Sequence, residues 1–368
     1  MTGVGECVDR LDGVTPGLIF NKNIIANTNQ STISIRGRST IFSNPQPLIV
    51  IDNFPYPGDP ANINPNDIES VTILKDANAA AIWGAFAGNG VIVMTTKKGR
   101  YKQEPKLTLN NNVTIGEKPD AYYRPTLGTR EYIEMEKGLY TDGYYNDIIN
   151  NPFYPGLLSP VVELLAEADA GTITIAHRDA ELNKYLGQDT RREKQKYLFR
   201  NSVSQQHALS TSGGGANTHY FLSAGYDRSL DGFVGNKSQR ITFNANNSYS
   251  WFKNRLELNT AIAYSETKLD YNYQDEKTNY PYLKFFDNNQ NAYAIPIDIR
   301  QSFKDASFAQ FPDDLKNWDY NPWTEVHNSD NTATIMDYRV NIGLKYKFAK
   351  GFTASAQYQF NKGQKENE

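Results

Sequence analysis

The chain reads as a small α+β domain followed by antiparallel strands of a large, incomplete transmembrane β-barrel. Three observations predict this. The first hundred or so residues hold three short β-rich runs separated by a Pro-rich turn and one short helix. The remainder alternates apolar and polar residues in about seven segments of roughly ten residues, the length a tilted membrane strand needs. The connections between those segments alternate short and long, as they do when one barrel end faces an inner compartment and the other the outside. The division predicted is 1–100 for the first domain and 101–368 for the barrel strands.

Composition bounds the function classes. A net charge of -3 and a pI near 5.9 leave no basic face for nucleic acid, so Lys97–Lys98 and Arg191–Arg192 read as solvated surface pairs. Mean hydropathy is -0.62, and no apolar run approaches the ~18 residues of a membrane helix. A barrel escapes that test because its apolar residues occupy alternate positions. The 24 Tyr and 18 Phe favour strands over helices. The single cysteine, Cys7, rules out an internal disulfide, and no apolar stretch precedes it to make a lipid anchor. Met1–Arg10 has neither the basic start nor the apolar core of an export signal, so the sequence is expected to be a truncated piece of a longer protein.

In the first domain, residues 5–20 read as a short helix ended at Gly13 and then an extended run. Thr32–Ile35 alternates into Arg36–Gly37–Arg38, where glycine permits a turn that projects two guanidiniums close together. Such forks suit a specific, breakable clamp on carboxylates; the other reading is ordinary surface arginines. Pro47–Asp52 is a buried-type strand, apolar from Leu48 to Ile51. Asp52–Asn53 then makes a turn, since Asn tolerates the left-handed region. Pro55–Pro65 is a loop, because its prolines forbid helix and central strand. Asn66–Leu74 is a strand with Ile68, Val71 and Ile73 inward. Asp76 caps a helix over Ala77–Trp83, Gly84 ends it, and Val91–Thr96 is the last strand. Lys75 and Asp76 are also candidates for a polar contact with the barrel.

After Arg100 the period of two takes over. Its apolar positions are Leu107–Ile115, a weaker run near His207–Gly213, Tyr220–Tyr226, Ile241–Trp251, Leu256–Tyr264, Tyr338–Phe348 and Phe352–Phe360. Gly213–Asn217, Phe252–Asn254 and Ala349–Gly351 are tight turns; 116–206, 228–238 and 267–333 are long links. Trp251, Phe252, Phe348 and Phe352 gather at the tight-turn ends, as expected of an interface girdle; in a soluble protein they would be core. Glu131–Gly138 and Glu163–Asp169 are helix-prone, so the first long link is expected to be folded.

The order IRGR, PLIVIDN, NDIESVTIL and LKDANAAAIWGAFAGNGVIVMTTKKG resembles the plug domain of TonB-dependent outer-membrane transporters, and its last segment resembles the SusC/RagA branch. QHALSTSGGGANTHYFLSAGYDRSLDGFVGN resembles an early barrel hairpin of that family. PYLKFFDNNQNAYAI and Asn321–Trp323 resemble its long outer loop. The resemblance implies an importer of oligosaccharides or peptides in the outer membrane of a Gram-negative, Bacteroidota-like bacterium. It also implies a SusD-like surface lipoprotein and the TonB–ExbB–ExbD complex as partners, and Arg36, with Gly37 and Arg38, as a plug latch. Tyr271, Tyr273, Tyr280 and Tyr282 fall in an outer loop, where they would stack on cargo, contact the lipoprotein or pack the loop. Two readings share the mechanics: a siderophore or cobalamin receptor, and a signal-transducing receptor. A soluble β-rich adhesin is the non-transport alternative. Transporters of this kind use about 22 strands, so seven would leave two bare edges that lipid does not tolerate.

No enzyme is expected. His177, His207, His219 and His327 share no ligand spacing, and Gly213–Gly215 lacks the helix and lysine of a phosphate loop. No cofactor is expected either; Asp313–Asp314 and Asp330–Asn331 supply oxygens for a loop calcium without ordered ligand spacing.

Overall fold

The computed structural model describes residues 18–20, 33–35, 46–74, 83–151, 155–273, 277, 279–311 and 319–367. Two short strands, β1 (Leu18–Phe20) and β2 (Ile33–Ile35), pair antiparallel in a sheet of their own. A four-stranded sheet follows, built from β3 (Leu48–Ile51), β4 (Phe54–Pro55), β5 (Ile68–Leu74) and β6 (Val91–Thr96) in the order β4-β3-β6-β5. The β3–β6 pair is parallel and central, with Leu48 opposite Val91 and Ile51 opposite Met94. Both faces of that pair are covered, which explains why LIVI and VIVM are continuous apolar runs rather than alternating ones.

On one face Ile35, Ile49, Ile51, Tyr56, Ile63, Ile92 and Met94 form a core, and Ile68, Val71 and Ile73 pack against it as the pattern of Asn66–Leu74 predicts. On the other, Val50, Ala87 and Val91 pack with Leu48, Leu74, Trp83 and Val93. Asp52 and Asn53 adopt positive φ values of 48° and 73°, so the expected Asp–Asn turn closes the β3–β4 hairpin. Pro55 ends up on the edge strand, where a missing N–H costs no ladder bond. Helix Ala77–Trp83 lies outside the described residues, except that Trp83 packs inward and Gly84 turns with φ +61°.

Seven strands then form one antiparallel meander: β7 (Lys106–Gly116), β8 (Ser202–Gly214), β9 (Thr218–Leu230), β10 (Asn236–Trp251), β11 (Leu256–Tyr271), β12 (Thr332–Ala349) and β13 (Phe352–Asn367). The sheet does not close on itself. Its strands run up to 18 residues, well past the ten the alternation indicates. Consequently the link expected over 228–238 shrinks to 231–235, and only 117–201 and 272–331 are long. The ladder hydrogen bonds continue where the outward side chains turn polar, so the apolar pattern marks a band on the outer face and not the strand ends. No described helix is long and apolar enough to cross a membrane, which says nothing of strands.

The two long links fold together beyond the strand ends. The first carries α1 (Thr129–Thr141), α2 (Pro160–Asp169) and α3 (Ile175–Leu186). The second carries α4 (Gln301–Gln310) and α5 (Pro322–Asn328). Ser159 caps α2 with a 3.0 Å bond from the Val162 amide, and Thr174 caps α3. Ile133, Val161, Leu165 and Leu182 of the first link bury Tyr282 of the second. Leu198 joins Leu283, Phe285, Ile295 and Val326 in a neighbouring cluster. Thr190 ties the links at the backbone, donating to Tyr280 O at 2.8 Å and accepting from the Leu283 amide at 2.7 Å.

Candidate functional site: the face between plug and wall

The α+β domain lies against the inner face of the seven-stranded wall, and the contact is polar. On β9 and β10 the inward residues are mostly hydrophilic, among them Ser223, Asp227, Thr242, Asn244 and Asn246, all buried. Opposite them is the turn between the hairpin and β5. Asn64 Nδ2 donates to Thr242 Oγ1 at 2.8 Å, and Ser223 Oγ donates to Asp67 Oδ1 at 2.5 Å. From β10, Asn246 Nδ2 donates to Lys97 O at 2.8 Å and to Thr96 Oγ1 at 3.2 Å. From β11, Thr267 Oγ1 donates to Asn62 Oδ1 at 3.3 Å. Gly225 makes the approach possible, because a Cβ there would run into Asn64 Nδ2 and lie 2.5 Å from Thr242 Oγ1.

Charge at this face is arranged with one asymmetry. Arg240 and Asp227, 1% and 3% exposed, form an ion pair wholly within the wall, with Nη2 at 2.6 Å and Nε at 2.9 Å from Oδ2. Asp67 contributes the plug's carboxyl. Burial raises its pKa above the ordinary carboxylate value, while the Ser223 hydroxyl, Lys97, the Asn244 side chain and Arg240 hold the rise in check. Withdrawing the plug turn thus breaks neutral hydrogen bonds, together with the one that the Asp67 carboxyl accepts, and leaves Arg240 paired. Each neutral bond is worth about 0.5–1.5 kcal/mol net and one to a charged group about 1.5–3 kcal/mol, whereas a stranded buried charge costs about 3–5 kcal/mol. Farther along the wall, the Arg339 guanidinium covers the Tyr56 ring at 5.5 Å. A cleft of about 310 Å³ separates the Asp52–Phe54 hairpin from inward residues such as Asn246, Asn259 and Asn341.

The residues singled out from sequence distribute unevenly. Arg36, Gly37, Arg38, Lys75 and Asp76 lie outside the described residues, as do Cys7 and Asp313–Asp314. Trp251, Phe252, Phe348 and Phe352 are all exposed around the tight turns on the wall's outer side, with Phe348 and Phe352 rings 5.9 Å apart. Tyr271 ends β11 and is 38% exposed. Tyr273 stacks on Phe233 at 4.4 Å, Tyr280 packs among the helices, and Tyr282 is fully buried with its hydroxyl 2.8 Å from Glu136 Oε2. Of the three roles open to these tyrosines, Tyr282 is placed as loop packing and has no surface to offer a ligand. Among the described residues no group of His, Cys, Asp and Glu could hold a metal ion. Sequence reading missed Asn62, Asn64, Asp67, Ser223, Thr242 and Asn246, because small polar residues on the hydrophilic phase of a strand look like filler. The inward phase of β9 and β10 was the available clue.

On the wall's other side, apolar residues such as Leu109, Ile241, Phe243, Ile262, Ile342 and Leu344 are exposed. A polar-lined, apolar-backed antiparallel wall with a folded plug against its inner face defines a plugged β-barrel protein. Residues 2–91 match the TonB-dependent Receptor Plug Domain family. Over 362 residues, 92% of this chain and 31% of the relative, the chain is 26% identical to the TonB-dependent receptor SusC of Bacteroides thetaiotaomicron. It is 42% identical over 105 residues, 28% of this chain and 10% of the relative, to the TonB-dependent receptor P39 of Formosa agariphila. The solved RagAB peptide importer in its closed-closed state superposes with a TM-score of 0.63 at 20% identity, covering 90% of this chain and 36% of that one. Residues 2–91 are thus matched as a TonB-dependent receptor plug domain, and over most of its length the chain is similar to SusC and shares the fold of the RagAB chain. It spans about a third of the length of SusC and of the RagAB chain, 31% and 36%.

Proposed function

We propose that the intact protein is an energised outer-membrane importer of oligosaccharides or peptides, in which residues of this chain form the gate. TonB, driven by ExbB–ExbD, pulls on the plug; a SusD-like surface lipoprotein delivers cargo to the folded outer links. The observation that carries the reading is the seal at Asn62, Asn64, Asp67 and Thr96–Lys97. It is watertight enough to bury its polar atoms, yet it consists of single hydrogen bonds to a wall whose own charges stay paired. Such a seal opens by local remodelling, an order–disorder switch that needs no chemistry. Arg36 and Arg38 would add a latch on the same side chains' logic, and Trp251, Phe252, Phe348 and Phe352 would mark the inner membrane interface of the wall. The fold shared with the RagAB peptide importer supports the peptide reading, and the likeness to SusC supports a TonB-dependent receptor without choosing a cargo.

A tether tests the gate. Cysteines replacing Asn64 and Thr242 in the intact protein should cross-link under oxidation and stop cargo uptake by whole cells. Reduction should restore uptake. Full cross-linking with undiminished uptake would sink the proposal that this turn must leave the wall.

A further inference from the structure

The strand register orders the outward side chains of the wall by height, and above the apolar band it places two cations, Arg228 and Lys268, with no hydrogen bond or ion pair among the described residues. Outward residues near the tight turns are Trp251, Leu256 and Tyr346, paired across β10, β11 and β12. Four rows up, Leu209, Ala224, Phe243, Tyr264 and Tyr338 lie side by side. The eight residues from Trp251 to Phe243 rise about 20 Å for a strand tilted roughly 40°, close to the height of a barrel's apolar band. Phe243, Tyr264, Tyr338 and, one row higher, Tyr226 thus form an aromatic belt at the far interface. The row just beyond Tyr226 reads Gln205, Arg228, Gln239, Lys268 from β8 to β11.

Arg228 and Lys268 point outward because their neighbours point in: Asp227 pairs with buried Arg240, and Thr267 reaches Asn62 of the plug. Both are exposed. Among the described outward charges at this height, the others are engaged. Lys237 meets Asp270 at 2.8 Å, Glu266 accepts the Tyr264 hydroxyl at 2.5 Å, and Glu366 accepts the Gln364 amide at 2.6 Å. Arg228 and Lys268 have no such partner. They stand two strands apart, about 10 Å between backbones, with the Gln239 amide between them.

We propose that Arg228, Gln239 and Lys268 bind the phosphate of an outer-leaflet lipid headgroup whose acyl chains lie along Phe243, Tyr264 and Tyr226. A guanidinium fork and an ammonium flanking an amide match a phosphate monoester, and the belt directly below seats the lipid's apolar part. The site rests on the reading of the sheet as a membrane barrel wall. It would fix the wall's height in the bilayer on the cargo side.

The test is native mass spectrometry of the intact protein in detergent, titrated with monophosphoryl lipid A and with the same lipid after phosphatase treatment. Wild type should retain the phosphorylated lipid preferentially. R228Q with K268Q should lower that retention on the order of tenfold and leave the dephosphorylated lipid unchanged. K253Q with K350Q, at the tight-turn end, should change neither. Equal retention by the R228Q/K268Q protein, or displacement of the lipid by inorganic phosphate at the same concentration, would overturn the site. A protein that stays dispersed without any detergent would overturn the membrane reading beneath it, a separate and distinguishable failure.

Discussion

Glu136 gives the sharpest prediction. It belongs to α1, is 2% exposed, and accepts a 2.8 Å bond from Tyr282 across the joint between the two outer links. Burial raises its pKa from 4.5 to about 7, with Ser159 and Tyr282 as hydrogen-bond partners that moderate the rise. The groups that feel its charge are Tyr132, Tyr145, Tyr280 and Tyr282, none of them a cation. An unfolded Glu136 loses its proton near 4.5 and the folded one near 7, so the folded state holds more protons between those values. The stability it contributes is complete below about 4.5 and is lost as pH rises through 7. That difference between folded and unfolded chain corresponds to about 3 kcal/mol. Glu136→Gln keeps an acceptor for Tyr282 and cannot ionise. Amide hydrogen exchange of residues 129–141 in the intact protein, compared at matched pH, should therefore coincide for wild type and variant near pH 4 and begin to separate by pH 5. At pH 8 the variant should exchange more slowly, by up to about 300-fold if opening of the module limits exchange. A wild-type-to-variant ratio that stays constant from pH 5 to 8 would refute the reasoning.

Other expectations follow from the seal and the wall. Ser223→Ala removes the closest donor to Asp67 and should loosen the plug turn by about 1–3 kcal/mol, read as faster exchange over residues 62–67. Gly225→Val should push Asn64 and Thr242 aside; cells carrying it should become sensitive to large antibiotics normally excluded, and unchanged sensitivity would count against the close approach. Ile262→Arg on the apolar side of the wall should cost about 2–4 kcal/mol of barrel stability if that face meets lipid, measured by urea titration in bilayers. Asn321→Ala removes two donations, to Phe285 O at 2.6 Å and Tyr293 O at 2.9 Å, and should raise exchange over 285–295 without touching the plug.

How much of this was legible in the sequence varied with the kind of interaction. The four-stranded sheet was readable because LIVI and VIVM are continuous apolar runs, the mark of strands covered on both faces. The seven wall strands were readable because one face needs apolar residues at every second position. Their lengths were not: above the belt, Arg228 and Gln239 replace the apolar phase while the ladder continues, so the pattern stops before the strands do. The tyrosines of the second outer link look alike in sequence, yet Tyr271 keeps surface and Tyr282 has none, since only packing against α1, α2 and α3 separates them.

By itself, then, the sequence determined what local pattern and backbone chemistry can carry: a plug with buried parallel strands, an Asp52–Asn53 turn, and a wall with one apolar side. Tertiary structure alone decided which inward polar residues meet the plug. Asn64 finds Thr242 across 178 positions and Asp67 finds Ser223 across 156, and no periodicity encodes such pairings. The physical reason is that a hydrogen bond between small polar side chains demands only proximity and angle, both supplied by how two separately folded units come to rest against each other.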